Sequence, residues 1–146
     1  MARISGRGSA IAGVVALLLA GGTSGAVAAT ATPTLGSDLG VPTQGFGKVK
    51  PPTVSLGGDP TGLAMKLAWK SWGAGTAVGS GTGYYPPPGK PTADSVKVPV
   101  TLDATELGTC KGKPAYKRLA FIFHYKGKSI KGSILGICGK LTFKSG

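Results

Sequence analysis

One histidine, one glutamate and one internal arginine are the side chains with which this chain of 146 residues could do acid–base chemistry on a phosphodiester: His124, Glu106 and Arg118. A carboxylate base, an imidazole acid and a cation on the phosphate are enough for a small ribonuclease. The segments that carry them do not resemble microbial ribonucleases, and the spacing from Glu106 to His124 is no signature. His124 lies in an apolar run without an identifiable partner and reads as a histidine on a sheet face. A single histidine excludes a multi-histidine metal site. With both cysteines oxidised no soft ligand set remains, so neither a metal nor a cofactor is expected.

The two cysteines, Cys110 and Cys138, are too far apart in sequence for a redox-active pair. In an exported chain they are expected to form one structural disulfide, the only pairing available.

Charge is the strongest compositional signal. Lysine and arginine number 17 against five acidic residues, a formal net charge of +12. The asymmetry has a direction: Asp38, Asp59, Asp94, Asp103 and Glu106 all precede Leu107, and no acid follows. Beyond it come Lys111, Lys113, Lys117, Arg118, Lys126, Lys128, Lys131, Lys140 and Lys144. Such a field attracts polyanions and raises their encounter rate, so these nine are the candidate polyanion-binding residues. The expected partner is an anionic cell-wall polymer or another extracellular polyanion. The plainer alternative is that the charge only keeps the domain soluble. Trp69, Trp72, Tyr84 and Tyr85 form a candidate stacking platform for sugars or bases, although core packing explains Trp69 equally well. The Pro86–Pro91 loop is the candidate protrusion for a proteinase-inhibitor reading.

These residues must be positioned by few elements. Arg3 and Arg7, the apolar run 10–20 and the small residues Ala26-Val27-Ala28-Ala29 make residues 1–29 a cleavable secretory signal, cut after Ala28 or Ala29. The apolar run breaks at Gly21–Gly25, short of the roughly 20 residues a spanning helix needs. Residues 30–58, with Pro33, Pro42, Pro51 and Pro52 and no periodicity, read as a flexible linker. Residues 59–146 are then a basic β domain in a secreted, soluble protein.

Within that domain Leu63, Met65, Leu67 and Trp69 alternate with Lys66 and Lys70, the period of a strand. An alternative over residues 62–72 is a short cationic amphipathic helix capped by Asp59-Pro60 and stopped at Gly73. The glycine-rich stretch 74–85 suits a hairpin partner. Val96, Val98, Val100 and Leu102 alternate inward, with Pro99 on the outer side marking an edge strand. Leu119, Phe121, Phe123 and Tyr125 line one side of a central strand, with Ala120, Ile122 and His124 on the other. Residues 130–143 supply a last strand or hairpin carrying Cys138.

The segment Leu67-Ala68-Trp69-Lys70-Ser71-Trp72-Gly73, followed by Ala77, Gly79 and Gly81, resembles the L-x-W-x-S-W-G…A-x-G-x-G pattern of uncharacterised small secreted actinobacterial proteins. Val98, Val100, Leu102, Cys110, Gly112, Tyr116 and Leu119 resemble the second half of the same group. The similarity covers residues 63–125. It implies strands around the tryptophans and no established activity. Where members of the group often carry a Cys-x-x-x-Cys-Ala loop, this chain has Pro86-Pro87-Pro88, which leaves Cys110 to pair with Cys138.

The expectation is therefore a mainly β protein, a small antiparallel sandwich or partly open barrel with one disulfide. Its expected role is a secreted, non-enzymatic binding module for anionic polymers, with a ribonuclease-like hydrolase or a proteinase-inhibitor-like protein as alternatives.

Overall fold

The computed structural model describes residues 30–40, 42–57 and 62–146. The expected signal segment 1–29 lies outside the described residues. Eight strands form one sheet: β1 (Thr34–Leu35), β2 (Thr53–Ser55), β3 (Leu63–Lys70), β4 (Ala77–Tyr85), β5 (Val96–Cys110), β6 (Lys113–Tyr125), β7 (Lys128–Leu135) and β8 (Thr142–Ser145). Strands β2 to β8 lie in chain order, each antiparallel to its neighbours, and β1 joins β6 in parallel. The sheet is a half-barrel, the partly open alternative of the two expected. The alternative helix at 62–72 is a strand. The only helical turn among the described residues is the 3-10 turn Thr92–Asp94, so no helix there is long and apolar enough to cross a membrane.

Local sequence explains the hairpins. Lys111-Gly112 and Lys126-Gly127 join β5 to β6 and β6 to β7, and all four residues have positive φ. That is the backbone of a two-residue type I′ turn, whose twist matches that of the flanking strands. The inward sets of β5 and β6 follow the expected alternation: Val98, Val100, Leu102, Ala104, Leu119 and Phe123 are buried, while Phe121 and Tyr125 are half-buried and His124 is exposed. Val96, at the mouth of β5, is exposed rather than inward.

Three expectations are corrected. The face expected from Leu63, Met65, Leu67 and Trp69 is broken by a bulge. The register with β4 shifts between Met65 and Ala68, and Lys66 has φ +54°. One extra residue turns the strand over, so Ala64 is buried before the bulge and Leu67 after it. Second, β5 is not an edge strand. Pro99 pairs with Thr82 on β4, but β6 joins only from Val100 onward. The proline thus sits where β5 has a neighbour on one side alone, which is the condition its missing N–H requires.

The third correction concerns the linker. The described residues of 30–57 are packed into the fold. Leu35, Phe46, Val54 and Leu56 are core residues. The N–H groups of Gly36 and Ser37 donate to the carbonyls of Tyr116 and Ile137, so β1 wedges between β6 and the segment that follows β7. Leu35 and Gly47 continue the ladder to Lys48 and back. Ser55 N–H donates to the Gln44 carbonyl, and β2 then pairs with β3. The segment is a strap running from β6 to β3. Its irregular, proline-rich sequence has no period because its partners lie elsewhere in the chain.

The strap is anchored by the tryptophans. Trp69 Nε1 donates to the Pro51 carbonyl at 2.8 Å and Trp72 Nε1 to the Pro33 carbonyl at 2.9 Å. Trp72 stacks edge-on against both Trp69 and the fully buried Tyr116. The Tyr116 hydroxyl donates to the Ala74 carbonyl and accepts from Gly73 N–H, which pins the turn between β3 and β4. The glycines of β4 have the same origin. A Cβ on Gly79 would stand 3.0 Å from the Trp69 indole, one on Gly81 2.5 Å from the Met65 carbonyl, and one on Gly83 2.6 Å from the Phe123 ring. The alternating Ala77, Gly79, Gly81 and Gly83 are thus the inner floor on which large side chains and the bulged strand lie.

Cys110 and Cys138 form a disulfide with a Cα–Cα distance of 5.2 Å. It ties the tip of the β5–β6 hairpin to the loop between β7 and β8. Such a bond is compatible with an oxidising compartment.

Candidate ligand-binding site

All nine cations from Lys111 to Lys144 are exposed. The sheet does not gather them onto one face. Lys111 and Lys126 occupy the turns at opposite ends of the 13-residue strand β6, which at 3.3 Å per residue separates them by roughly 40 Å. One group comprises Lys111, Lys113 and, across the disulfide, Lys140. Arg118 and Lys117 stand further along β6, and Arg118 pairs with Glu106 at 3.6 Å. The other group comprises Lys126 and Lys128 at the β6–β7 turn, then Lys131 on β7 and Lys144 on β8. Ser133 pairs with Lys144, which makes Lys131 and Lys144 diagonal neighbours across two strands. The Arg118–Glu106 contact is the only ion pair among the described residues, so none of the eight lysines is neutralised in that way.

The four aromatic residues expected as a platform are likewise divided. Trp69 and Trp72 are half-buried beside Tyr116, and both indole N–H groups are engaged by the strap. Tyr85 packs on Phe123 and Tyr125 at 5.9 and 5.3 Å. Trp69 pairs with Gly79, and the six residues from there to Tyr85 along β4 span about 20 Å. Tyr84, adjacent to Tyr85 in an extended strand, points to the opposite side of the sheet. No single surface holds all four.

The acid–base set is divided too. Glu106 and Arg118 are together, but His124 is six residues further along β6, on the order of 20 Å away. Its Nε2 lies 3.2 Å from the Thr101 hydroxyl on the sheet surface. A proton donor and acceptor that far apart cannot act on one phosphodiester. No group of three or more His, Cys, Asp or Glu capable of holding a metal occurs among the described residues. The Pro86–Pro91 loop is exposed apart from half-buried Pro87. It is coiled by bonds from Lys90 N–H to the Pro87 carbonyl and from Asp94 N–H to the Pro91 carbonyl.

A groove that the sequence did not reveal lies at the open seam of the half-barrel, with a cavity of about 440 Å³. One wall is Leu56 and Gly57, just past β2 at one edge of the sheet. The opposite wall is Phe143 and Lys144 on β8 at the other edge. Phe121, Phe123 and Ile130 line its base, Tyr85 and Pro86 its end, and Lys131 borders it. The aromatic rings form a chain: Phe121 and Phe123 are 5.4 Å apart, and Phe123 meets Tyr85. Beyond it, Lys126 Nζ stands 5.3 Å from the centre of the Tyr125 ring, a cation–π contact. The alternating Phe121 and Phe123 were legible in the sequence as an inward face. An isolated Phe143 in a lysine-rich tail was the only further signal.

Comparison with known proteins finds no matching family model, no similar curated protein and no similar solved structure.

Proposed function

We propose that this protein is an exported, non-enzymatic binding module whose ligand is an anionic polymer of the cell surface or its surroundings. The observation that carries the proposal is the set of exposed lysines beyond Leu107, with no acid in that region to neutralise them. Of the two cationic groups, the one formed by Lys126, Lys128, Lys131 and Lys144 is favoured, because no acidic residue among the described ones pairs with any of its members. The group at the disulfide end has the Arg118–Glu106 pair as its neighbour, which offsets part of its field. The resemblance of the Leu67–Gly73 segment to small secreted proteins and the disulfide both fit the exported part of this reading.

Each contact would be an ammonium–anion pair that releases counterions, so affinity should fall steeply with salt. The test is a salt series of the purified, oxidised protein against cell wall, teichoic acid, duplex DNA and a neutral glycan. Replacing Lys126, Lys128 and Lys131 together by alanine should weaken binding to the anionic polymers. With DNA as probe, the log–log salt slope should fall by about 3 if all three meet phosphates. Unchanged affinity and slope in the triple variant would remove this patch from the proposal.

A further inference from the structure

We infer that the outer face of the sheet binds a single extended polyol phosphate chain, laid along a diagonal of cations formed by Lys97, His124, Lys131 and Lys144. This site rests on the anionic-polymer reading and specifies its surface, its polymer class and a pH dependence. Val98, Phe123, Gly132 beneath the Phe121 ring, and Phe143 at the groove all face inward. Their chain neighbours Lys97, His124, Lys131 and Lys144 therefore project from the outer face, and all four are exposed. Strand register sets them in line. Lys131 lies opposite Ile122, two residues from His124, and Lys144 lies opposite Ser133, two residues from Lys131. Such diagonal neighbours are about 7–8 Å apart. Val100 pairs with Phe123, so the same step continued onto β5 arrives at Lys97. Lys128 lies opposite the inward Tyr125 and Lys126 rides over that ring, so neither joins the line.

The pattern suits a phosphodiester. Ser129 lies directly opposite His124 and Ser133 opposite Lys144, and the Thr101 hydroxyl stands 3.2 Å from His124 Nε2. Hydroxyls beside cations are the donors that phosphate oxygens take. A polyol phosphate with a three-carbon unit repeats every six backbone bonds, about 7 Å at the reach per bond of an extended polypeptide. Successive phosphates can then meet successive cations. A nucleic acid strand has the same repeat but gains much of its affinity from rings on which bases stack. Tyr84, opposite Lys97 at one end of the line, is the only tyrosine, phenylalanine or tryptophan on this face from β4 to β8. The charged groups around His124 are Lys97 and Asp103 on β5, Lys131 on β7, and Lys126 and Lys128 at the turn. Asp103 lies opposite Ala120, four residues along from His124, so it is about 14 Å away and largely screened. Histidine is the side chain that charges between about pH 5 and 8, and a phosphate beside it favours the charged form. Binding must therefore tighten as the pH falls through that range.

The experiment is titration calorimetry of the full, oxidised protein with poly(glycerol phosphate), in a salt series at about pH 8 and about pH 5.5. Oligothymidylate with the same number of phosphates is the comparison arm. At the lower pH binding should be about fivefold tighter, with a log–log salt slope steeper by about 0.7, the value for one contact to a single strand. His124→Gln should bind at both pH values as the parent does at the higher one. Lys131→Ala with Lys144→Ala should weaken binding roughly thirtyfold, while Lys48→Ala, which removes an exposed lysine of the strap, should change it less than about twofold. Circular dichroism should be unchanged in each variant. Salt-sensitive binding without pH dependence, or a pH dependence that survives His124→Gln, would overturn the inference and leave the polymer reading to the other cations. So would a loss in Lys48→Ala as large as in the double variant. Tighter binding of oligothymidylate than of poly(glycerol phosphate) would overturn the polymer class in favour of single-stranded nucleic acid. Absence of salt-sensitive binding to either polymer would be a failure of the anionic-polymer reading itself.

Discussion

Leu35 is the residue at which the strap is most directly tested. Its side chain is fully buried, and its backbone pairs with Tyr116 of β6 and bonds to Lys48. Truncation to alanine removes three carbons from a packed interior and leaves a cavity, which costs about 2–5 kcal/mol. Taking 3 kcal/mol and a urea m-value near 1.5 kcal/mol/M, the unfolding midpoint should fall by about 2 M. In a domain of this size the melting temperature should fall by roughly 10–20 °C. Val49→Ala is the matched control. It lies in the same segment but is 45% exposed, and a change there should stay within about 0.5 kcal/mol. Both variants are measured by urea denaturation followed by tryptophan fluorescence, since Trp69 and Trp72 contact the strap. If Leu35→Ala unfolds at the same urea concentration as Val49→Ala, residues 30–57 are a tether and the packing argument fails.

Two further perturbations follow from the geometry. Replacing Cys110 and Cys138 together by serine reopens a loop with a sequence separation of 28. The chain-entropy model makes that worth about 3.6 kcal/mol, so the reduced protein should melt well below the oxidised one; coincident melts would show that the bond adds nothing. Gly83→Ala places a methyl against the Phe123 ring and should cost about 1–3 kcal/mol as overpacking, with an altered near-ultraviolet spectrum. A neutral or stabilising effect would mean that the glycines of β4 are not a floor for the aromatic rings.

Much of the fold was legible because alternation is a local property. Val98, Val100 and Leu102, and then Leu119, Phe121 and Phe123, declare an inward face through period two alone. The Lys-Gly pairs at the two hairpin tips, whose positive φ only the folded chain shows, supply the left-handed backbone those turns require. The disulfide needed only a count of cysteines, and the cationic bias only a count of charges. Other features depend on partners distant in sequence. The strap has no periodicity because its hydrogen bonds go to Tyr116, Ile137 and its own return segment. The bulge at Lys66 and the one-sided pairing at Pro99 are properties of register between strands. Whether Glu106 meets His124, or Trp69 meets Tyr85, was decided by positions along β6 and β4 that set them far apart. The groove is the clearest case: it exists because the sheet curls until Leu56, past β2 at one edge, faces Phe143 of β8 at the other. Curvature is a sum of twists over every strand pair, and only the folded sheet brings those two edges together.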